Sequence, residues 1–400
     1  MRKKGSTRYY RGFLQLNNDR RSQMSSRKSF SHYWNEVIQP TLFKELEQEV
    51  GELSPLHKKL TSVLEIIRIE DFIACARFKN GRTPKHRTAI ARAYIAKIIF
   101  KFTYTNQLVD YLKVDKQLRL ICGFNNFEKI PSKSKFSRAF NEFALKSLPE
   151  NAQQALVKEF TSDEIQGHAT IDSTPLETRE KPLKKGTAED RKKRKSMKNA
   201  SKRKGELNSR EKQLKEENLE KSLSDLPKLC DKGMKRSAQG YTQIWKGYKL
   251  HVSINDDCIP LATVITSASV NDCEVAIPLI RKSNTVAKNL YYLMDAAYDH
   301  PEIKELCHST ERVALIDKCP TGVSQKIEKE AEKQRRKILN IQTAEEKRYS
   351  ERFPKERFNA LYKDFHGGCS IFYKGYLKVS CHVMFGILTL TASTILSLIQ

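Results

Sequence analysis

Apolar residues along the chain follow two periods, helical at first and strand-like from about Gly167 onward. Over residues 31–150 the pattern is helical throughout. Tyr94, Ile95, Ile98, Ile99 and Phe102 recur at helical spacing and predict an amphipathic segment with one buried face. Thr105 is placed to cap the next helix, which carries Leu108, Val109, Tyr111 and Leu112. A short helix over about Asp115 to Cys122 stops at Gly123, which tolerates the left-handed conformation of a helix end. Beyond Pro131, Ser132 can cap a fourth helix with Phe136, Phe140 and Phe143 inward and Lys133, Lys135, Arg138 and Lys146 outward.

Ala169-Thr170-Ile171 is a short strand leading into Asp172. An interruption of about 181–235 follows, without periodic apolar content. Trp245 to Ile254 alternates as a strand, turns at Asn255-Asp256-Asp257, and continues as a second strand over Ile259 to Thr266, which makes a hairpin. Asn271 is placed to cap a helix through Ala276, Ile277, Leu279 and Ile280. Leu290 to Met294 reads as a buried strand ending at Asp295. A helix from Pro301, a strand over Arg312 to Ile316, a charged helical stretch at 325–348 and helices near 354–364 and 377–398 complete the order. This succession predicts an α/β layer, a mixed sheet flanked by helices, preceded by an all-helical domain.

Charge adds a partner class. Lys and Arg number 73 against 47 Asp and Glu, a net +26, which points to nucleic acid or an anionic membrane surface. Residues 1–30 form a basic arm, and Arg191 to Lys204 holds nine basic residues in fourteen with no acid. Both suit phosphate contact, and both are equally compatible with passive solvated segments. The helix carrying Lys135 and Arg138 reads as the basic last helix of a helix-turn-helix, a candidate DNA-contacting face beside the plainer reading of a solvated bundle surface. Val379 to Gln400 has no Asp, Glu, Lys or Arg, long enough for a membrane span. Six hydroxyl residues dilute it, so it is expected as a buried helix on a sheet. The nine cysteines form no C-x-x-C pair and read as reduced thiols.

Asp172 and Asp295 each follow an apolar strand, the edge at which open α/β sheets bind ligands. Either alone is commonly a turn former. Together, in a basic chain, they suit a hard cation such as Mg²⁺, with Mn²⁺ as a substitute. Tyr349, Arg352, Glu356 and Lys363 have the spacing Y-x2-R-x3-E-x6-K. Glu356 and Lys363 lie two helical turns apart on one face, a carboxylate and a cation aimed at one place. On spacing alone, a surface helix laced by ion pairs is the commoner explanation. Pro354 implies that the helix begins there, with Tyr349 and Arg352 outside it. Asp299, Asp317 and Glu351 are weaker candidates, Asp299 being better placed to cap the Pro301 helix. His300, His308, His366 and His382 lack metal spacing and read as structural.

These motifs resemble the DDE insertion-sequence transposases that carry a Y-R-E-K signature. The resemblance lies in ATIDSTPLETREKP (169–182), LYYLMDAAYD (290–299) and RYSERFPKERFNALYKDFHGG (348–368), with 90–143 similar to the helical N-terminal domain of that group. It implies an RNase H-like catalytic domain over 165–400 and Asp172, Asp295 and Glu356 as catalytic, metal-binding acids. It implies DNA contacts through Tyr349, Arg352 and Lys363, and cleavage at transposon ends followed by joining of the 3′-hydroxyl to target DNA. A homodimer on paired terminal repeats, a cytoplasmic, nucleoid-associated location and no membrane anchor follow from the same likeness. A transposase-derived DNA-binding protein without catalysis, and a metal-dependent nuclease that does not join strands, remain the alternatives.

Overall fold

The computed structural model describes residues 39–73, 86–124, 129–161, 165–182, 207–236, 240–317, 322–340, 342–369 and 371–399. The N-terminal arm and the basic run Arg191 to Lys204 lie outside them.

Among the described residues, seven α-helices come first: α1 (Gln39–Val50), α2 (Pro55–Ile67), α3 (Arg87–Ile99), α4 (Thr105–Val114), α5 (Lys116–Cys122), α6 (Lys133–Leu145) and α7 (Leu148–Thr161). Local chemistry sets several ends. Asp115 caps α5 by accepting from Leu118 N at 2.8 Å, and Gly123 closes it at φ 89°. Thr105 is not a cap but the first residue of α4, and its hydroxyl meets Tyr373 Oη at 3.4 Å. The apolar spacing in α3 predicts one buried face, yet the helix is buried on nearly every side, Lys97 included. Helices α2, α5, α6 and the C-terminal helix enclose it.

The second half is built on β1 (Ile165–Glu177), β2 (Asp231–Arg236), β3 (Thr242–Asn255), β4 (Pro260–Ser267), β5 (Lys288–Met294) and β6 (Val313–Ile316). Between and after them come α8 (Ser209–Lys215), α9 (Leu219–Ser224), α10 (Cys273–Asn284), α11 (Pro301–Ser309), α12 (Val323–Leu339), α13 (Ala344–Ser350), α14 (Pro354–Phe365) and α15 (Tyr376–Ile399). Strand β1 runs antiparallel to β3 and parallel to β5, and β5 runs parallel to β6. The other edge of β3 pairs β4 and, farther along, β2. This mixed sheet flanked by helices is an RNase H-like α/β fold. The interruption expected at 181–235 contains α8, α9 and β2 among its described residues, short elements with little apolar periodicity to announce them.

Cap positions at two later helices differ from expectation. Asp272, not Asn271, occupies the N-cap of α10, and its carboxylate is drawn instead to Lys249 Nζ at 3.0 Å. His300 precedes α11, while Asp299 pairs with Lys304.

Helix α15 joins the two halves. Its 18-residue apolar window has a mean hydropathy of 1.8, enough to cross a membrane by length and composition, but 78% of that window is buried inside the protein. One face meets α2, α3, α6 and α7, where Phe385 lies 5.7 Å from Tyr94. The other packs Val379, Val383 and Ile387 with Leu250 and Val252 of β3 and Phe358 and Tyr362 of α14. Thr389 and Thr391 donate back to the carbonyls of Phe385 and Ile387, at 2.8 and 2.9 Å, so these hydroxyls are buried without loss of a partner. Gly386 lets α14 approach, because a Cβ there would lie 2.3 Å from the His366 carbonyl oxygen.

The edge of the sheet formed by β4 is covered by side chains. Gln153, Lys282 and Tyr376 donate to the carbonyls of Pro260, Thr263 and Ile265 on β4, at 2.6, 3.0 and 3.3 Å. An edge so occupied cannot pair with a further strand. The described cysteines are all free, and all but Cys369 are buried.

Candidate active site

Asp172 is not at the end of β1 but within it, because β1 continues to Glu177 along β3 after its partner β5 has stopped. The last parallel rung is Thr170 to Leu293. Two residues farther on, Asp172 within β1 and Asp295 just after β5 stand at the same level. Asp172 pairs with Val252, so its side chain shares the sheet face covered by α14 and α15. Asp295 ends β5 by accepting from Ala297 N at 3.0 Å, which turns the chain into a single 3₁₀ turn.

Burial pushes the Asp172 carboxyl above its ordinary range, and the neighbouring charge of Asp295 adds to the rise. Lys355, the Ser173 backbone N–H and Lys235 act against it. Asn359 Nδ2 donates to Asp172 Oδ2 at 3.3 Å. Next to the pair, the Tyr298 ring is fully buried and its hydroxyl has no partner. Its phenol is held well above its ordinary value, first by burial and then by Asp272, Asp172 and Asp295.

Helix α14 begins at Pro354, where the missing N–H costs nothing, and carries Glu356 in its first turn. Glu356, Asn359 and Lys363 recur at i, i+3 and i+7, one helical face, while Phe358 and Tyr362 anchor the opposite face in the core. Glu356 is exposed and Lys363 half-buried. Thus α14 brings Glu356 to within one turn of a residue that touches Asp172. The three acids are not drawn into one cluster: among the described residues, no three His, Cys, Asp or Glu side chains stand close enough to hold an ion.

Tyr349 on α13 and Arg352 in the turn before α14 form their own unit. The Arg352 guanidinium lies over the Tyr349 ring at 4.8 Å and donates to its hydroxyl. Two further guanidinium nitrogens, Nε and Nη2, are buried without an acceptor. Burial raises the Tyr349 phenol, and Asp317 and Asp295 raise it further, so this unit borders the second acid. Of the weaker candidates, Asp317 pairs with Lys329 at 2.7 Å, and Glu351 is exposed after α13. Lys135 and Arg138 are exposed on α6, opposite the face that carries Phe136, Phe140 and Phe143 into the core.

Residues 165–391 match the family model described as Transposase DDE domain, and residues 44–142 match a second described as Transposase domain (DUF772). The first covers more than half of the chain. The chain belongs to the DDE transposases. No curated protein and no solved structure matches it.

Transposases of this family generally use divalent metal ions, and the donors of this one fit such an ion. Asp172 and Asp295 place two carboxylates side by side, and burial disfavours ionisation of Asp172, a cost that a divalent cation would remove. The sequence pointed to Asp172, Asp295, Tyr349, Arg352, Glu356 and Lys363, and missed Asn359, Lys355, Lys235 and Tyr298. Asn359 was within reach of sequence reasoning, since it lies three residues after Glu356 on the same helix. Lys235 was not, because it lies in the insertion.

Proposed function

We propose that this transposase hydrolyses phosphodiester bonds at the ends of its own element and joins each freed 3′-hydroxyl to target DNA. The observation that supports this reading is the placement of Asp172 and Asp295 side by side, past the last rung of β1 and β5, with α14 across from them. Asp172, Asp295 and Glu356 are the residues that would hold Mg²⁺ or Mn²⁺. When bound, the ions would activate the attacking water or 3′-hydroxyl and neutralise the leaving oxygen.

The chain's own residues do the rest. Asn359 orients the Asp172 carboxylate and ties it to α14. Arg352, stacked on Tyr349, supports a DNA phosphate through its guanidinium charge, and Lys363 grips the backbone one face along. Lys135 and Arg138 on α6 contact DNA away from the acids. Two copies act together, one at each terminal repeat, in the cytoplasm at the nucleoid. Binding to DNA is expected to fall steeply with salt, in keeping with the net charge of +26.

The test is Mg²⁺-dependent cleavage and strand transfer on DNA bearing the element's ends, with Glu356→Gln in parallel. Cutting and joining by the wild type, lost in the variant, supports the proposal and the third acid. Cutting without joining makes the protein a nuclease. Binding without cutting, under Mg²⁺ or Mn²⁺, makes it a DNA-binding derivative.

A further inference from the structure

Helix α12 buries none of its side chains. It is held to the body by charge instead: Lys329 pairs with Asp317 at 2.7 Å, and Arg336 with Glu346 at 2.6 Å. These two anchors lie seven residues apart, on one line along the helix. Ile327, Ala331, Gln334 and Ile338 are spaced by four, three and four residues and form a second line. At 100° per residue, Lys329 stands about 200° from Ile327, so the second line faces away from the protein. It is an apolar stripe in open solvent, with Val323, Ile327 and Ile338 exposed by 76%, 65% and 82%.

The charges beside the stripe are arranged by half. Glu328 and Glu330 flank its first half on opposite sides, and Arg335 and Lys337 flank its second half in the same way. A parallel copy would pair Glu330 with Arg335 but leave Glu328 facing Val323 and Lys337 without an opposite charge. An antiparallel copy sets Glu328 beside Arg335 and Glu330 beside Lys337 on both sides of the seam. The same register puts Ile327 against Ile338 and Ala331 against Gln334, an isoleucine layer at each end and two layers of small against polar between them.

We propose that the exposed stripe of α12 is where a second copy of this chain docks, its own α12 running antiparallel. The inference rests on the two-copy part of the proposed function and on none of the cleavage chemistry. A pair of 17-residue helices spans only about 25 Å and buries less than a standard interface of roughly 1,600 Å². The free protein is therefore a weak, concentration-dependent dimer. Two ends held on one DNA raise the effective concentration and complete the pairing.

Sedimentation equilibrium of the full chain without DNA tests this. Because α12 is exposed, its variants leave the fold intact, which circular dichroism checks. Ile327→Glu with Ile338→Glu should weaken the dimer roughly 100-fold, since it sets four carboxylates into the seam. Glu328→Arg alone should weaken it about tenfold, and adding Arg335→Glu to the same chain should restore it to within about threefold. A wild type that stays monomeric up to about 100 µM, a concentration well above a typical transient Kd, overturns the inference. So does a dimer indifferent to the isoleucine pair, or a loss of DNA affinity with no change in mass. Cleavage that persists in any of these cases leaves the catalytic reading standing.

Discussion

Asn359 and Asp172 are 187 positions apart in the chain, and the amide of one donates to the carboxylate of the other at 3.3 Å. This bond ties the helix that carries Glu356 to the centre of β1, beside the packing of Phe358 and Tyr362. Asn359→Ala should lower cleavage roughly 10–100-fold and raise the divalent ion concentration needed for half-maximal rate, as losses of supporting hydrogen bonds at metal sites do. DNA affinity should be unchanged. Equal rates for the two proteins would remove Asn359 from the site's support.

Asp172→Asn should abolish cutting, by roughly a thousandfold or more, while DNA binding persists. It should also stabilise the metal-free protein. The folded-state pKa of Asp172 lies above the unfolded one, so its contribution to stability is present at low pH and is lost as pH rises through the raised value. At neutral pH the fold carries a partly buried charge beside Asp295, and the amide removes it. The melting temperature should rise by a few degrees at pH 7 and not at all near pH 3, where both proteins are neutral at this position.

Arg352→Lys keeps the charge but not the planar fork that stacks on Tyr349. End-DNA affinity should fall about tenfold, with the salt dependence of binding retained. Arg352→Ala should lose a similar affinity and reduce the salt slope by about one. Identical affinities for lysine and arginine at this position would reduce Arg352 to a structural residue.

Lys97 lies in the core between α3 and α15, 2% exposed, with the Tyr373 ring 5.9 Å from its ammonium. Burial lowers its pKa to about 8. Between that value and the unfolded one, the unfolded chain binds a proton that the folded chain does not, so stability rises with pH over this window. Lys97→Met should therefore stabilise the protein by up to about 3 kcal/mol at pH 7, the gain fading as pH approaches about 10.5. Urea unfolding at pH 7 and pH 10 measures both.

Burial holds His251, His366 and His382 neutral, pushed down to about 4, about 4 and about 3. Each has a local partner: Thr266 Oγ1 at 2.9 Å, the Leu361 carbonyl at 2.9 Å and the Gly367 carbonyl at 3.3 Å. Below about pH 6.5 the unfolded chain gains up to three protons that the fold refuses, so stability should fall steadily toward pH 4. A flat stability curve across that interval would mean that these rings are open to solvent.

Much of this was legible along the chain. Alternation marked β3, the Asn255-Asp256-Asp257 turn marked β4 after it, the break at Pro354 marked the start of α14, and Asp115 with Gly123 marked both ends of α5. Such signals are local, since a cap or a strand needs only its neighbours to be recognised. Asp295 at the end of β5 was legible for the same reason.

Other features depend on residues distant in sequence. Asp172 reads as a strand end because the apolar run stops there, but β3 carries β1 onward to Glu177 while β5 does not. Length alone leaves α15 long enough for a bilayer although its hydroxyls favour a core, and α3, α7 and β4 cover it. The contact of Asn359 with Asp172 exists only once α14 has packed on the sheet, because side-chain hydrogen bonds of this range are set by where whole elements dock. Local periodicity is written into a segment by its own residues. Which face meets which partner, and how deeply a charge is buried, comes from packing the segments together.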